Sequence, residues 1–160
     1  MKHKKIILLI SFIIVAIIVL VLIFSNSTRL DANKMKENIL SKYPHTDFVE
    51  LDRMDVMNYF GFDIQELTNY VFLKEYTEYN EDEEPSLMPT FPKNMFIYIS
   101  GEKTDECYNM IKGMFSSIEL YEEDQELVKL YSDYYVKKKG NSLYIIVGEN
   151  KDKLKEFLDI

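Results

Sequence analysis

The apolar positions of this chain follow two regimes that meet near residue 25. Residues 6–24, IILLISFIIVAIIVLVLIF, are an uncharged run of 19 in which Ser11 is the one polar side chain. As a helix the run would span ~28 Å, close to the ~30 Å hydrocarbon core of a bilayer. It has no polar stripe, and a helix apolar on all sides suits lipid better than a protein core. Beyond it the apolar residues recur with helix and strand periods in turn.

A short polar linker, residues 25–30, leads to Asp31, which is placed to cap a helix reaching about Ser41. Met35 and Ile39 lie four apart on its apolar side, and Pro44 closes it. A second short helix is predicted over residues 52–60, with Met54, Met57 and Phe60 recurring on one face and Gly61 at its C-cap. Asp63 and Glu66 have capping-box spacing and open another short turn. Residues 69–78, NYVFLKEYTE, are rich in strand formers. Residues 79–93, YNEDEEPSLMPTFPK, hold three of the four prolines and four consecutive acids, so they read as a long loop between strands. Residues 94–100, NMFIYIS, are apolar almost throughout and predict a central strand.

Thr104 is the expected cap of the next helix, with Asp105 and Glu106 at its positive end. Tyr108, Ile111, Phe115 and Ile118 recur at spacings of 3, 4 and 3, widened by Met110 and Met114, as on a helix laid against a sheet. Gly113 inside that helix costs ~1 kcal/mol relative to Ala, which points to a close neighbour there. A further helical turn or two is predicted over residues 123–131, then strands 133–139 and 142–148, then a helix to residue 160 carrying Leu154, Phe157 and Leu158. From residue 69 the order is β-β-α-β-β-α. The expected fold class is α+β: an N-terminal transmembrane helix, two short helices, then an antiparallel four-stranded sheet with helices on one face.

Lys137, Lys138 and Lys139 stand next to Gly140–Asn141, a two-residue hairpin signal. A strand places Lys137 and Lys139 on one face and Lys138 on the other. The triplet therefore reads as hairpin architecture that keeps an edge from pairing with strangers, not as a basic patch.

Charge adds a location. Residues 1–5, MKHKK, form a basic tail, expected to remain cytoplasmic while the long C-terminal part crosses. Three basic residues precede the apolar run and three follow within 15 residues, but the first three are the denser cluster. Ser25 and Ser27 have the spacing of a weak cleavage site, while the length of the run favours an uncleaved signal anchor over residues 6–24. The linker and an extracytoplasmic domain over residues 31–160 complete the organisation. After residue 30 lie all 27 Asp and Glu and 15 of the 19 Lys and Arg, a net charge of −12. Such a domain repels nucleic acid and anionic surfaces.

Candidate chemistry is sparse. Cys107 is the only cysteine, so no intrachain disulfide forms. His45 and Cys107 are the only soft ligands outside the tail, too few for structural zinc. Residues 80–84, NEDEE, lack the alternation and central Gly of a calcium loop. No G-x-S-x-G elbow or glycine-rich phosphate loop occurs, so neither a metal nor a cofactor is expected. Cys107 falls in the first turn of a helix, where the dipole lowers a thiol pKa. Leu87, Met88 and Phe91 are apolar residues within the proline-rich loop, where they either contact a partner or fold back onto the core.

The stretch YFGFDIQELTNYVF and the late hairpin around Lys139, Gly140, Asn141 and Tyr144 resemble a family of Gram-positive exported lipoproteins and membrane-anchored proteins known only as a domain of unknown function. Tyr59, Gly61 and Asp63 carry the first part of the match, and the resemblance covers roughly residues 30–160. Phe62 stands where the family usually has isoleucine, Lys93–Asn94 where it has an acid, and no lipid-bearing cysteine is present. The resemblance implies an extracytoplasmic, membrane-attached protein and no particular reaction. The expected function is a non-catalytic binding or accessory domain of the cell envelope, held to the membrane through residues 6–24, with an envelope protein as partner and no nucleic acid. The alternatives are an envelope hydrolase or its accessory using paired carboxylates, and an immunity or inhibitor protein.

Overall fold

Three strands carry continuous apolar runs, and this decides the architecture. The computed structural model describes residues 14, 15, 17, 32–43, 45–76, 91–120 and 122–160. The chain divides between Asp31 and Ala32 into two units. Of the 6–24 run, only Ile14, Val15 and Ile17 are described; they are helical and exposed. No described helix is long and apolar enough to cross a membrane.

The second unit runs α1 (Ala32–Lys42), β1 (Phe48–Glu50), α2 (Arg53–Phe60), a 3-10 turn (Ile64–Glu66), β2 (Asn69–Glu75) and β3 (Met95–Ser100). Then follow α3 (Thr104–Ser117), a 3-10 turn (Ile118–Leu120), α4 (Gln125–Ser132), β4 (Tyr135–Lys139), β5 (Ser142–Val147) and α5 (Lys151–Leu158). The sheet has five strands in the order β1-β2-β3-β5-β4, all neighbours antiparallel. The α+β class and the antiparallel sheet hold. The strand count is five rather than four, because residues 48–50 pair with β2.

The helices cover both faces, not one. Phe72, Ile97, Ile99, Leu143 and Ile145 point to one side, where they meet Val56, Phe60, Ile111 and Phe115 of α2 and α3 and Val128 and Tyr131 of α4. Val71, Leu73, Phe96, Tyr98, Tyr144 and Ile146 point to the other, where Met35 and Ile39 of α1 and Leu154 of α5 close over them. A strand apolar at every position needs cover on both sides, since its side chains alternate between faces. β3, with every residue buried, lies at the centre as expected.

Local chemistry fixes the element ends. Asp52 caps α2 through a reciprocal box with Asp55, and Gly61 closes it with φ 75°. Asp63 caps the following turn by accepting from the Gln65 amide. Arg53 Nε donates to Asp63 Oδ1 at 3.0 Å across that corner. The buried side of α2 is Val56, Tyr59 and Phe60, whereas Met54 is 64% exposed and Met57 is also exposed. The 56/59/60 spacing makes a tighter stripe than the predicted 54/57/60. Thr104 is the first residue of α3 rather than its cap. Its hydroxyl is spent inside the fold, 2.7 Å from the Gly101 carbonyl and 2.8 Å from that of Asn141.

Two glycines separate packing from propensity. Gly148 has φ 128°, and a Cβ there would meet Asn94 Oδ1 at 2.1 Å and the Lys93 carbonyl at 2.5 Å. Gly113, contrary to expectation, has nothing within 4 Å of the same point. Gly148→Ala is expected to lower stability by more than ~2 kcal/mol, through clash and backbone strain. Gly113→Ala is expected to raise it by ~0.5–1 kcal/mol. Urea unfolding of both variants checks the pair; equal effects would contradict this packing.

Candidate functional site

The far end of the proline-rich loop is rooted in the core. Phe91 is buried, its ring edge-on to Tyr59 at 5.9 Å and to Tyr131 at 5.2 Å between centroids. The fully buried Tyr131 hydroxyl donates to the Pro92 carbonyl at 2.9 Å. Asn94, also buried, donates from Nδ2 to Glu75 Oε2 at 3.2 Å and accepts from the Asn150 amide at 3.3 Å. The Glu75 amide donates to the Asn94 carbonyl at 2.8 Å, and the Tyr76 amide to the Asp47 carbonyl at 2.7 Å. The two ends of the loop are thus hydrogen-bonded to each other and to the rest of the sheet. Tyr76, the last described residue before the loop, is 56% exposed.

Of the three apolar loop residues singled out in the sequence, Phe91 is a core residue of this root, and Leu87 and Met88 lie outside the described residues. Of Tyr59 and Tyr131, which hold Phe91, the sequence marks only Tyr59, through the resemblance and not as part of a site. Their signal was spacing: Tyr59 completes the apolar stripe of α2, and Tyr131 stands four residues after Leu127 on α4. Burial, aided by the Asp55 charge, pushes the Tyr59 phenol up to about 12. Burial pushes the Tyr131 phenol well above its ordinary range. The Lys74 ammonium lies 5.5 Å from the Tyr59 ring centroid, a cation–π contact at the same root.

The two soft ligands outside the tail, His45 and Cys107, do not form a common site. His45 is exposed and edge-on to Tyr43, with ring centroids 5.0 Å apart. Cys107 is buried in α3, and burial pushes its thiol up to about 11, with Glu106 adding to the shift. Desolvation outweighs the helix position that favours a thiolate. Among the described residues, no three of His, Cys, Asp and Glu group as metal ligands.

Two shallow clefts carry carboxylates. One, of about 510 Å³, is lined by Asp152, Lys155, Glu156, Asp159 and Ile160. The other, of about 370 Å³, includes Glu126, Lys129, Asp133, Glu149 and Lys151. In both, lysines lie among the acids: Lys155 Nζ is 2.9 Å from Asp152 Oδ1, and Lys151 pairs with Asp133. The Lys155 ammonium holds Asp152 below the usual carboxylate range, and the Arg53 guanidinium does the same to Asp63. A general acid needs the opposite shift.

Comparison with protein-family models, with curated proteins and with solved structures finds no significant match.

Two outcomes test these environments. Native Cys107 is expected to alkylate at least ~100-fold more slowly at neutral pH than in the unfolded chain, as a buried thiol of raised pKa. Rapid native labelling would show the thiol to be accessible. Tyr59 and Tyr134 both have phenols raised to about 12, Tyr134 by burial and then by its hydrogen bond with Tyr108. The folded state keeps these protons above pH 10 while the unfolded state loses them. Stability is therefore expected to be intact below pH ~10 and to fall as pH rises toward ~12. Phenolate absorbance at 295 nm during an alkaline titration measures it, and ionisation of every tyrosine near pH 10 without unfolding would refute it.

Proposed function

We propose that the chain is a membrane-anchored extracytoplasmic protein whose α+β domain binds another component of the cell envelope without catalysing a reaction. The observation that carries the binding half is the rigid root of the proline-rich loop. Phe91 between Tyr59 and Tyr131, with the Tyr131–Pro92 hydrogen bond, gives a contact loop a fixed base. Loops mounted on a rigid scaffold are where binding residues concentrate. Leu87 and Met88 are the proposed contact residues within it, with an envelope protein as the partner.

The anchoring half rests on the uncharged run of residues 6–24, long enough for a single pass, with the basic residues 1–5 cytoplasmic and residues 31–160 outside. Membership of the Gram-positive exported family is part of the same proposal. The residues that carry the resemblance mark turning points of the fold. Gly61 and Gly140 have φ 75° and 59°, Asp63 caps a turn, and Tyr59 and Tyr144 are buried. They support a shared fold more strongly than a shared partner.

In intact spheroplasts, external protease is expected to remove the C-terminal domain and spare a tag on residue 1. Protection of the domain would reverse the orientation. A photocrosslinking side chain at position 87 or 88 is expected to give a discrete adduct with one envelope protein. The double substitution Leu87→Ser, Met88→Ser should reduce capture by at least ~10-fold, as loss of apolar anchors does. Unchanged capture would remove these two residues from the interface.

A further inference from the structure

The free edge of the sheet offers a second surface, and the inference drawn from it deepens the binding reading on which it rests. We propose that β4 is a docking edge for an extended acidic peptide segment of a partner, which adds to the five-stranded sheet as one more strand.

β4 is the last strand in the sheet order, and four of its five residues are exposed. The turn at Gly140–Asn141 pairs Lys139 with Ser142. In a two-residue hairpin that flanking pair exchanges both ladder bonds, so Lys137–Tyr144 and Tyr135–Ile146 are the next bonded pairs. The amides and carbonyls of Val136 and Lys138 therefore point away from β5. Among the described residues nothing outside the strand bonds to them. They are a ready ladder for an incoming strand.

The edge is also preformed. Lys138 pairs with Asp105 of α3. The turn is tied back by the Asn141 carbonyl, which accepts from the Gly101 amide at 3.0 Å. Tyr135 lies under the Lys155 ammonium, 4.6 Å from its ring centroid. A peptide arriving here meets a strand already ordered on both faces, which limits the entropy lost on binding.

Charge selects the occupant. Lys137 and Lys139 are exposed on one face, and no described carboxylate lies within ion-pair reach of either. Glu or Asp placed opposite them forms favourable cross-strand pairs, and basic residues form unfavourable ones. The same lysines repel a second copy of this edge, so the device that prevents self-pairing also defines the sign of what is admitted. At physiological salt the screening length is ~8 Å, so acids farther than that from Lys137 and Lys139 act only weakly on an incoming strand.

The test uses the full chain in detergent micelles and an N-acetylated octapeptide alternating Glu and Val, with the Lys–Val octapeptide as control. Saturable binding of the acidic peptide alone is expected, with the largest amide shifts in NMR spectra at Val136 and Lys138. Lys137→Glu with Lys139→Glu should weaken binding at least tenfold. So should Val136→Pro, which removes an outward amide without breaking a β4–β5 bond. Lys112→Glu, on the exposed side of α3, should leave affinity unchanged. Absence of saturable binding overturns the proposal. So does loss on charge reversal with full binding by Val136→Pro, which would mean a charge patch rather than strand addition. Should Val136→Pro fail to fold, the amide shifts decide: shifts confined to residues outside β4 overturn the proposal. Loss of peptide binding with adducts at positions 87 and 88 intact defeats this edge alone; the reverse defeats the loop contact alone.

Discussion

Everything in the folded unit depends on β3 being buried on both faces. Met95, Phe96, Ile97, Tyr98 and Ile99 are inaccessible, and each alternate residue belongs to a different core. At ~25 cal/mol per Å² of apolar surface, burying side chains of this size contributes ~1.5–3 kcal/mol each. Its neighbour β5 supplies both cores in the same way, through Leu143, Ile145 and Val147 on one side and Tyr144 and Ile146 on the other. α1 and α5 exist as folded elements because one side of β3 and its neighbours would otherwise face water. α2, α3 and α4 answer the same demand on the other side. The short edge strands β1 and β4 finish a sheet whose centre is already determined.

The polar groups taken inside by this arrangement are few, and they hold the junctions. Among the described residues no buried side-chain nitrogen or oxygen lacks a hydrogen-bond partner. Asn94 joins β2, β3 and the start of α5, and it does so only because Gly148 leaves room for its side chain. Ser142 and Ser100 hydroxyls meet at 3.0 Å at the opposite end of the β3–β5 pair. Buried polar groups of this kind add little net stability when satisfied, yet removing one partner leaves the other desolvated. Their contribution is to specify how the layers join.

The elements of this fold were legible where local chemistry and periodicity agreed. Gly61, Asp63 and the Gly140–Asn141 turn act as their residue types predict, and α3 with the 3-10 turn after it buries the Ile111, Phe115 and Ile118 stripe. The layer arrangement was less legible. Continuous apolar runs in β2, β3 and β5 already demanded cover on two faces, but assigning α1 and α5 to the second face is a tertiary matter. β1 was missed because three residues carry no period. The 54/57/60 face was chosen over 56/59/60 because two stripes share Phe60 on one short helix, and only the tertiary burial of Val56 and Tyr59 selects between them. For the candidate site, the root was not legible in the sequence. Tyr131 and Pro92 are 39 positions apart, and their hydrogen bond exists only once α4 lies over the sheet.

That root has an evolutionary consequence. The ends of the loop are closed by the Glu75–Asn94 backbone bond and the Tyr131–Pro92 bond, independently of the residues between them. Doubling the length of a flexible loop between fixed ends costs only ~0.6 kcal/mol in closure entropy. Closure at this root therefore places little constraint on the number or kind of residues between Tyr76 and Phe91, while the layered core stays under a separate selection. A lineage carrying this scaffold can vary that interval without relearning how to fold.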